Sequence, residues 1–243
     1  MNLSVVIPAY NEQTRIESTL RSVEDYLLNH APAHEILVVN DGSTDGTLDV
    51  LQRLSDGISN LRILSYDQNM GKGYAVRKGM LAASGEMILL SDADLAAPIE
   101  ELPRLQAALS KGADVAIGSR DLPDSVRQVH QSSFREAGGR ALNLLIQALA
   151  VPGIADTQCG FKLFTRPCAQ AVFPHCFLNR FSFDVEVLYI ARRLGFELAE
   201  IPINWAHKEG SKVNPINDGI RIVMDLVRIR LHRYDFRKSQ NGS

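Results

Sequence analysis

An apolar run ends abruptly in two carboxylates in the stretch Glu86-Met87-Ile88-Leu89-Leu90-Ser91-Asp92-Ala93-Asp94. A continuously apolar run of this length is typical of a strand covered on both faces, as strands are in parallel sheets. Two carboxylates in the non-helical turn after such a strand can bind a hard divalent cation, while phosphate oxygens and water fill its other positions. Most isolated pairs of this kind are ordinary loop or cap residues, but the place of Asp92 and Asp94 directly after a buried strand favours a metal site.

Four further apolar runs lie along the first half of the chain, and helical periodicity separates them. The runs are Leu3 to Ala9, Glu35 to Asn40, Leu61 to Tyr66 and Ala113 to Ser119. Between the first two, Ile16, Leu20, Val23 and Leu27 follow the spacing of one helix face. Strands that alternate with helices predict a doubly wound, mostly parallel α/β sheet with flanking helices.

Ligands of such sheets bind in the crevice beyond the carboxyl ends of the strands. The residues that follow the five predicted strands are mostly polar or glycine. They are Pro8-Ala9-Tyr10-Asn11-Glu12, Asn40-Asp41-Gly42-Ser43, Asp67 to Gly73, Asp92-Ala93-Asp94 and Arg120. We therefore expect the five strand ends to converge on one site.

Two of these segments carry groups suited to a nucleotide. Asp41 can accept a hydrogen bond from a base N–H, and Gly42, which lacks a Cβ, lets the backbone approach a flat ligand. Helix capping is the alternative for Asp41, although Ser43 to Asp45 are better placed for it. Gly71-Lys72-Gly73 opens an amphipathic stretch and so places a cation at a helix N-terminus, where anions are favoured. It lacks full phosphate-loop spacing, and so indicates donor contact only in this context.

The composition excludes several classes of protein. The chain has 243 residues, 45% of them hydrophobic, and a formal charge of -2, so it can bury a large core and lacks the basic excess of nucleic-acid-binding proteins. Cys159, Cys168 and Cys176 are odd in number and lack C-x-x-C spacing, which predicts reduced thiols rather than zinc or disulfides. No export signal opens the sequence, and the longest uncharged run, Ala141 to Ala155, is too short to span a bilayer. We expect a cytoplasmic protein.

The second half of the chain is more helical and ends in a basic segment. Phe183 to Leu194 and Ile220 to Tyr234 are predicted helices, with a short strand from Glu197 to Ile203 between them. The last helix carries two apolar strips, one with Ile220, Val223, Met224, Val227, Leu231 and Tyr234, the other with Ile222, Leu226 and Ile229. It can lie in an anionic membrane interface, contact a second subunit or pack on the core. We expect one domain over residues 1–210, a loop and basic amphipathic helix over 211–238 and a disordered tail over 239–243.

Three motifs together resemble the family-two glycosyltransferases, which have the nucleotide-diphospho-sugar transferase (GT-A) fold. They are Val6 to Glu12, Val38 to Thr47 and Ser91 to Asp94. A narrower set resembles the dolichyl-phosphate glucosyltransferase branch, kin of the dolichyl-phosphate mannose synthases. This set is Ile117 to Arg120, Asp156 to Phe164, Phe183 to Glu186 and Gly210 to Lys212. The resemblance covers nearly the whole chain and implies inverting transfer of glucose from UDP-glucose to a polyprenyl phosphate.

The resemblance and the strand-end positions together imply roles for individual residues. The donor-binding set is Pro8, Ala9, Tyr10, Glu12, Asp41, Gly42, Ser43, Gly71, Lys72, Asp92 and Ala93. Asp92 and Asp94 would hold Mg²⁺ or Mn²⁺, and Asp94, Arg120 and Lys212 form the catalytic set. The mannose synthases commonly have Gln at the position of Ala96, so water is expected to take a larger share of the metal here. The glucosyltransferase branch usually has an N-terminal membrane anchor that is not found here, so another surface is expected to recruit the membrane.

A phosphate acceptor suits the basic residues of the second half. A sugar hydroxyl needs a carboxylate general base, whereas a phosphate is already an anion and needs cations to hold it. The predicted acceptor-phosphate ligands are Arg120, Arg135 and Lys162, with Arg127 and Arg140 as further cations. Asp184 and Glu186 are the base candidates for a hydroxyl acceptor, although acids in a first helical turn more often complement the helix dipole.

Other functions share parts of this pattern. A mannosyltransferase that uses GDP-mannose, or a transferase to a saccharide hydroxyl, would have the same fold. A sugar-1-phosphate nucleotidyltransferase would have a Gly-rich, Arg-containing loop in place of Pro8 to Glu12, and a nucleotide-sugar sensor would have lost Asp92 and Asp94. The expected partners are a nucleotide sugar, a lipid phosphate and the inner face of a membrane. No nucleic acid is expected, and a homo-oligomer is left open.

Overall fold

The structure, a computed structural model, describes residues 2–127, 146–206 and 215–236. The strands within these ranges are β1 (Leu3–Ala9), β2 (His34–Asp41), β3 (Leu61–Tyr66), β4 (Met87–Ser91), β5 (Val115–Ser119), β6 (Val126–Arg127), β7 (Phe161–Thr165), β8 (Leu198–Pro202) and β9 (Asn204–Trp205). Seven of them form one sheet in the order β3-β2-β1-β4-β7-β5-β8. Only β7 runs antiparallel to its neighbours in this sheet, and β6 and β9 form a separate parallel pair.

Helices cover both faces of the large sheet. They are α1 (Ile16–His30), α2 (Thr47–Ser55), α3 (Lys72–Ala82), α4 (Leu102–Ser110), α5 (Arg166–Val172), α6 (Phe183–Arg193) and α7 (Pro215–Leu231). Side chains of α1, α2 and α4 form one apolar layer with one face of the strands, and those of α3, α5, α6 and α7 form the other. Neighbouring strand residues enter opposite layers, as Val5 and Val6 do, and both are fully buried. Because each buried valine contributes about 2 kcal/mol, this two-sided burial stabilises the sheet, and the predicted doubly wound fold is confirmed.

β7 is the main element that the sequence did not predict. Its residues Phe161-Lys162-Leu163-Phe164-Thr165 insert between β4 and β5 and pair antiparallel with both. The lysine interrupts the apolar run, and the preceding Cys159 and Gly160 resemble a loop, so periodicity alone did not indicate a strand. Lys162, a predicted acceptor-phosphate ligand, is therefore the second residue of a buried strand.

The C-terminal helix α7 uses its two apolar strips differently. Ile222, Leu226 and Ile229 are buried against the core. Four residues of the other predicted strip face outward, with Val223, Met224, Val227 and Leu231 between 38% and 77% exposed. Tyr234, predicted for the same strip, packs against the core instead. Packing on the core is therefore confirmed for one strip, and the second remains available for a partner. Within the described residues, no helix is both long enough and apolar enough to traverse a bilayer.

Candidate active site

The carboxyl ends of β1, β2 and β3 lie side by side. Ala9 is in register with Asn40, and Asp41 is in register with Tyr66. β4 runs parallel to β1 on its other side, so its end at Ser91 points in the same direction. The register thus brings the predicted strand-end segments to one edge of the sheet.

Hydrogen bonds connect the loops that follow β1 and β2. The backbone N–H of Asn11 donates to Ser43 Oγ at 2.9 Å, and Thr44 N–H donates to Asn11 Oδ1 at 2.8 Å. Glu12 N–H donates to the Thr47 hydroxyl at 2.8 Å. Asn11 has φ of 54°, a left-handed conformation that asparagine tolerates better than most residues. The two loops therefore form one wall that contains five of the predicted donor residues: Tyr10, Glu12, Asp41, Gly42 and Ser43.

Asp41 organises the loop after β3. Its side chain is buried, and its two oxygens accept hydrogen bonds from the Tyr66 hydroxyl, the Asn69 amide and the backbone N–H groups of Met70 and Gly71, at 2.7 to 2.9 Å. Burial, together with the hydrogen bond to Asp41, raises the pKa of Tyr66. The predicted contact of Asp41 with a base stays a prediction, and the geometry adds a structural role that the sequence did not reveal.

Contacts within the loops also explain why glycine stands at position 42 and aspartate at position 45. Gly42 has φ of 62°, and a Cβ at this position would overlap the backbone of Gln68 and Asn69, so the glycine permits two loops to touch. The sequence predicts Ser43, Thr44 or Asp45 as the cap of the next helix, but its N-cap is Gly46. Asp45 accepts hydrogen bonds from the backbone and hydroxyl of Thr47, the first residue of that helix, at 3.0 and 2.5 Å. Ser43 and Thr44 instead bind Asn11, as described above.

Lys72 occupies the N-terminus of α3, as predicted, and its ammonium group lies 2.6 Å from Asp92 Oδ1. Partial burial opposes the charged form, but the carboxylates of Asp92 and Asp184 outweigh it and raise the pKa of Lys72. Gly71 and Gly73 bring this helix end against the backbone of residues 178–180, where a Cβ on either glycine would overlap it. The cation is thereby held beside the predicted metal ligands.

Asp92 and Asp94 lie in a tight turn after β4. Thr19 donates to the carbonyl of Ala93 at 2.6 Å, and Ala96 N–H donates to Asp94 Oδ1 at 3.0 Å. Gly160 faces the carboxylate of Asp92 so closely that a Cβ would overlap it. A cavity of about 20 Å³ adjoins this turn, and Asp92, Ala96, Ala97, Cys159, Gly160, Phe161 and Trp205 line it. That volume accommodates about one water molecule.

Arg120 follows β5 and is held by Asp156. The guanidinium donates two hydrogen bonds to this carboxylate, at 2.7 and 2.9 Å, and the Arg120 backbone N–H adds a third at 3.0 Å. Burial opposes the charged form of Arg120, but Asp156 raises its pKa. Arg120 also lies over the ring of Trp205, 5.5 Å from its centroid. The side chain is 28% exposed, so its position is fixed without removing it from solvent.

Glu200 supports Asp156 from the neighbouring strand β8. Its carboxylate accepts the backbone N–H groups of Ala155 and Asp156 at 2.8 and 2.7 Å. No role is predicted from the sequence for Asp156, Glu200 or Trp205, although Asp156 stands in a motif that carries the family resemblance. Their contribution depends on strand pairing between β5 and β8, which no local pattern encodes.

Lys162 and Asp184 form a buried ion pair, and Lys162 also donates to the carbonyl of Cys159 at 2.6 Å. Burial raises the pKa of Asp184 even though Lys162 and Lys72 oppose that change. Lys162 is only 1% exposed, so its environment disfavours the predicted acceptor-phosphate contact. Glu186 is fully buried, and its carboxylate accepts the backbone N–H groups of Phe177 and Leu178. Both acids are therefore engaged in structure, through an ion pair and backbone contacts in addition to their place in the first turn of the helix.

Three predicted site elements lie outside the described residues. They are Arg135, Lys212 and residues 239–243, which the sequence predicts to be a disordered tail. Arg140 also lies outside, and Arg127 is described in its backbone alone. Their roles stay predictions.

Comparison with known proteins identifies the family. The model of the family described as "Glycosyl transferase family 2" matches residues 4–173. This chain is a family-two glycosyltransferase. The match includes both connected loops, the turn with Asp92 and Asp94, and Arg120, so the family's sequence pattern coincides with the site geometry.

Three relatives of this glycosyltransferase have the same name. The dolichyl-phosphate beta-glucosyltransferase of Dictyostelium discoideum is 38% identical over 240 residues, covering 94% of this chain and 73% of that protein. The proteins of the same name from Homo sapiens and Saccharomyces cerevisiae are 37% and 36% identical to this chain. Each match covers 94% of this chain, and it covers 75% of the human protein and 74% of the yeast protein.

A solved structure confirms the GT-A fold. Glucosyl-3-phosphoglycerate synthase of Mycobacterium tuberculosis, in complex with Mn²⁺, UDP-glucose and phosphoglyceric acid, has a TM-score of 0.68 at 21% identity. The match covers 94% of this chain and 79% of that chain. At this identity the likeness concerns the fold, and family membership excludes the nucleotidyltransferase alternative.

The acidic turn of the glycosyltransferase fits a divalent cation through two protein ligands. Among the residues that the structure describes, no group of three or more His, Cys, Asp or Glu side chains could hold a metal. Asp92 and Asp94 offer hard oxygen atoms of the type that Mg²⁺ and Mn²⁺ prefer. Gly160 leaves room for the carboxylate of Asp92, and Ala96 adds no ligand. Such a site would need a diphosphate and water to complete its coordination.

Proposed function

We propose that this glycosyltransferase moves glucose from UDP-glucose to dolichyl phosphate or another polyprenyl phosphate, with inversion at the anomeric carbon. The observation that carries the proposal is the shared name of relatives that match nearly the whole chain at 36% to 38% identity. A mannosyl donor or a saccharide acceptor would keep the fold, so the experiment below separates these alternatives.

The charges at the site support a phosphate acceptor. Arg120 is preorganised by Asp156 and remains partly exposed, as an anion-binding guanidinium should be. The two carboxylates on which a hydroxyl acceptor would depend, Asp184 and Glu186, are buried and already hold other groups. An acceptor that arrives ionised needs no general base. Arg120 would orient the attacking phosphate oxygen toward the anomeric carbon.

The donor would lie across the connected loops and the acidic turn. The wall made by the loops after β1 and β2 would bind the nucleoside, as predicted for Pro8 to Glu12 and Asp41 to Ser43. Lys72 already contacts Asp92 and is therefore placed to bind oxygens of the diphosphate. Lys212 is proposed to act on the same diphosphate. The glucose would then lie between this diphosphate and Arg120.

Asp92 and Asp94 would hold Mg²⁺ or Mn²⁺. When bound, the cation supplies positive charge that favours departure of the nucleotide diphosphate. Thr19 and Ala96 fix the turn through the hydrogen bonds to Ala93 and Asp94, so the two carboxylates need little reorganisation. Metal dependence is part of this proposal.

We further propose that the enzyme acts as a cytoplasmic, peripheral protein at the inner face of the membrane that holds its acceptor. The outward strip of α7 supports this localisation, because an exposed apolar face with arginines beside it suits a membrane interface. A helix that packs on the core through its other strip keeps that surface attached to the catalytic domain.

The test is nucleotide release by the purified protein. It is incubated with Mn²⁺ or Mg²⁺ and either UDP-glucose or GDP-mannose, with and without a short-chain polyprenyl phosphate. Lipid-dependent UDP release, abolished by chelation and by Asp94→Ala with the fold intact, supports the proposal. GDP release would indicate the mannosyl alternative. Release unchanged by the lipid would overturn the lipid acceptor and make Asp184→Asn and Glu186→Gln the next variants to assay.

A further inference from the structure

Among the residues that the structure describes, none covers the outward strip of α7 with apolar side chains. Val223, Met224, Val227 and Leu231 are exposed, and Leu149 is 36% exposed as well. Single exposed apolar residues are ordinary, but four on one face of one helix mark an interaction surface. Ile222, Leu226 and Ile229 already satisfy the packing of this helix, so fold stability does not explain the second strip.

A cavity of about 220 Å³ lies between α6 and α7. Ala150, Tyr189, Arg192, Arg193 and Arg230 line it. Its volume is of the order of a phosphate-bearing headgroup rather than a single water. Three of its five lining residues are arginines, which are the residues that bind phosphate most specifically.

None of these three arginines forms an ion pair with a carboxylate in the described part of the chain. Arg192 donates to the carbonyl of Pro152 at 2.5 Å, and Arg193 donates to the Tyr189 hydroxyl at 3.2 Å and lies over the Phe236 ring. Arg230 is exposed. The nearest ion pair on the same helix, Asp225 with Arg228, uses a different arginine. Within the described ranges, the positive charge of this cavity is therefore not balanced by a paired carboxylate.

The cavity and the apolar strip lie next to each other on α7. At about 100° per residue, Arg230 projects close to Val223 and between the buried face and Val227. A phosphate held by Arg230, Arg192 and Arg193 would thus lie beside side chains suited to acyl chains. A protein partner would need to match both features, whereas an anionic lipid monolayer presents them together.

We propose that the cavity of Arg192, Arg193 and Arg230 binds the phosphate of an anionic membrane phospholipid while Val223, Val227 and Leu231 enter the acyl region. The inference deepens the peripheral membrane role proposed above and assigns it a headgroup site distinct from the catalytic edge. Tyr189 to Arg193 lie five to nine residues beyond Asp184 along α6, a separation of about 8 to 14 Å along the helix axis.

Flotation with vesicles tests the site. Phosphatidylcholine vesicles, with and without phosphatidylglycerol, are mixed with the full chain and with two variants, Arg230→Gln and the triple replacement Arg192→Gln, Arg193→Gln and Arg230→Gln. We expect binding only to the anionic vesicles, weakened several-fold by the single change and at least about tenfold by the triple one. Leu231→Asp should abolish insertion. The matched controls are Arg53→Gln and Leu28→Asp, on exposed positions of α2 and α1, which should bind normally.

Three results would overturn the inference. The first is equal binding of wild type and both arginine variants. The second is complete displacement from vesicles by millimolar inorganic phosphate with no effect of Leu231→Asp, which would indicate a site for a free anion. The third is a dimer in solution that Leu231→Asp dissociates while vesicle binding is unchanged. UDP release with a detergent-dispersed polyprenyl phosphate should be normal in the docking variants, so failure of the docking site and failure of the proposed reaction give different results.

Discussion

Arg120 depends on Asp156 for its position. Asp156 accepts three of its hydrogen bonds, and Glu200 in turn accepts the backbone N–H of Asp156. The chain of contacts starts in β8 and ends at the guanidinium. Rigid support of this kind is what a cation needs if it is to place a nucleophile within a fraction of an ångström.

Replacing Asp156 with Asn should therefore impair catalysis and stability together. The variant leaves Arg120 without its counter-charge, and we expect the free energy of unfolding to fall by about 2 kcal/mol. The rate of nucleotide release should fall about tenfold or more, and the rise in the KM for the acceptor should be larger than the fall in kcat. Urea denaturation and steady-state kinetics measure both. Glu17→Gln, which breaks exposed ion pairs with Arg21 and Arg53, is the control and should leave the free energy of unfolding nearly unchanged. A normal acceptor KM in Asp156→Asn would contradict the positioning role.

Gly160 separates an effect on the site from an effect on the fold. A methyl group at this position would displace the carboxylate of Asp92, and with it the contact to Lys72. We expect Gly160→Ala to lose at least about tenfold in turnover while its melting temperature changes little. Gly57→Ala is the control, because its Cβ would meet only one atom, at 3.8 Å. Turnover equal to the wild type in Gly160→Ala would mean that the position of Asp92 is not critical.

At the scale of elements, Glu186 connects α6 to two other parts of the chain. Its carboxylate accepts the backbone N–H groups of Phe177 and Leu178 and the hydroxyl of Tyr234, which follows α7. The next residue, Asn179, accepts the backbone N–H of Gly73 at the start of α3. The loop that carries Phe177 to Asn179 thus contacts both the C-terminal segment and the helix that presents Lys72.

Removing the Tyr234 hydroxyl should destabilise the protein less than removing the Glu186 carboxylate. Tyr234→Phe deletes one hydrogen bond and should lower the free energy of unfolding by about 1 kcal/mol. Glu186→Ala leaves two buried N–H groups without an acceptor and should cost about 3 kcal/mol and raise the KM for UDP-glucose. Chemical denaturation and donor titration check these values. Tyr26→Phe, whose hydroxyl forms no hydrogen bond to a described residue, is the control. Equal costs for Tyr234→Phe and Glu186→Ala would contradict the role assigned to the backbone contacts.

The sequence predicted elements well where one physical signal dominates. β1 and β3 begin and end at the predicted residues, because each run is bounded by polar or glycine-rich turns. β7 was missed because Lys162 interrupts its pattern, and only burial beside Asp184 explains a lysine at that place. For α7 the sequence identified two apolar strips but left open which one packs on the core, since periodicity does not distinguish a partner from a core.

At the scale of the whole molecule, the parallel sheet accounts for the position of the site, and the sequence could predict this much. The carboxyl ends of the strands share an edge, so Tyr10, Asp41, Asp92 and Arg120 had to lie on that edge. The sequence could not predict which of them are already occupied by the protein itself. Asp41 holds a loop and Lys162 holds Asp184, and both facts depend on residues distant along the chain.

The pH dependence of stability provides a test of the whole fold, because Glu35 ties β2 to the segments before β4 and at the start of β1. Its carboxylate accepts hydrogen bonds from Ser4, Ser84 and Arg62 at 2.5 to 2.6 Å. Although burial opposes ionisation, these bonds lower the pKa of Glu35 from 4.5 to about 2. A lowered native pKa means that the unfolded state takes up the proton first, so the stabilisation is present above pH 4.5 and is lost as the pH falls toward 2.

Replacing Glu35 with Gln should remove this dependence. At neutral pH the free energy of unfolding should be about 3 kcal/mol higher in the wild type than in Glu35→Gln. Urea denaturation between about pH 6 and pH 2 should show this difference shrinking as acid is added. Asp184 and Glu186, whose pKa values burial raises, act in the opposite sense in both proteins. The test is therefore the wild-type minus variant difference rather than either curve alone. Glu17→Gln, at an exposed carboxyl whose lowered pKa is due mainly to Arg21, should leave a smaller difference. A gap between wild type and Glu35→Gln that stays constant with pH would show that the carboxylate acts through shape and hydrogen bonding, independently of its charge.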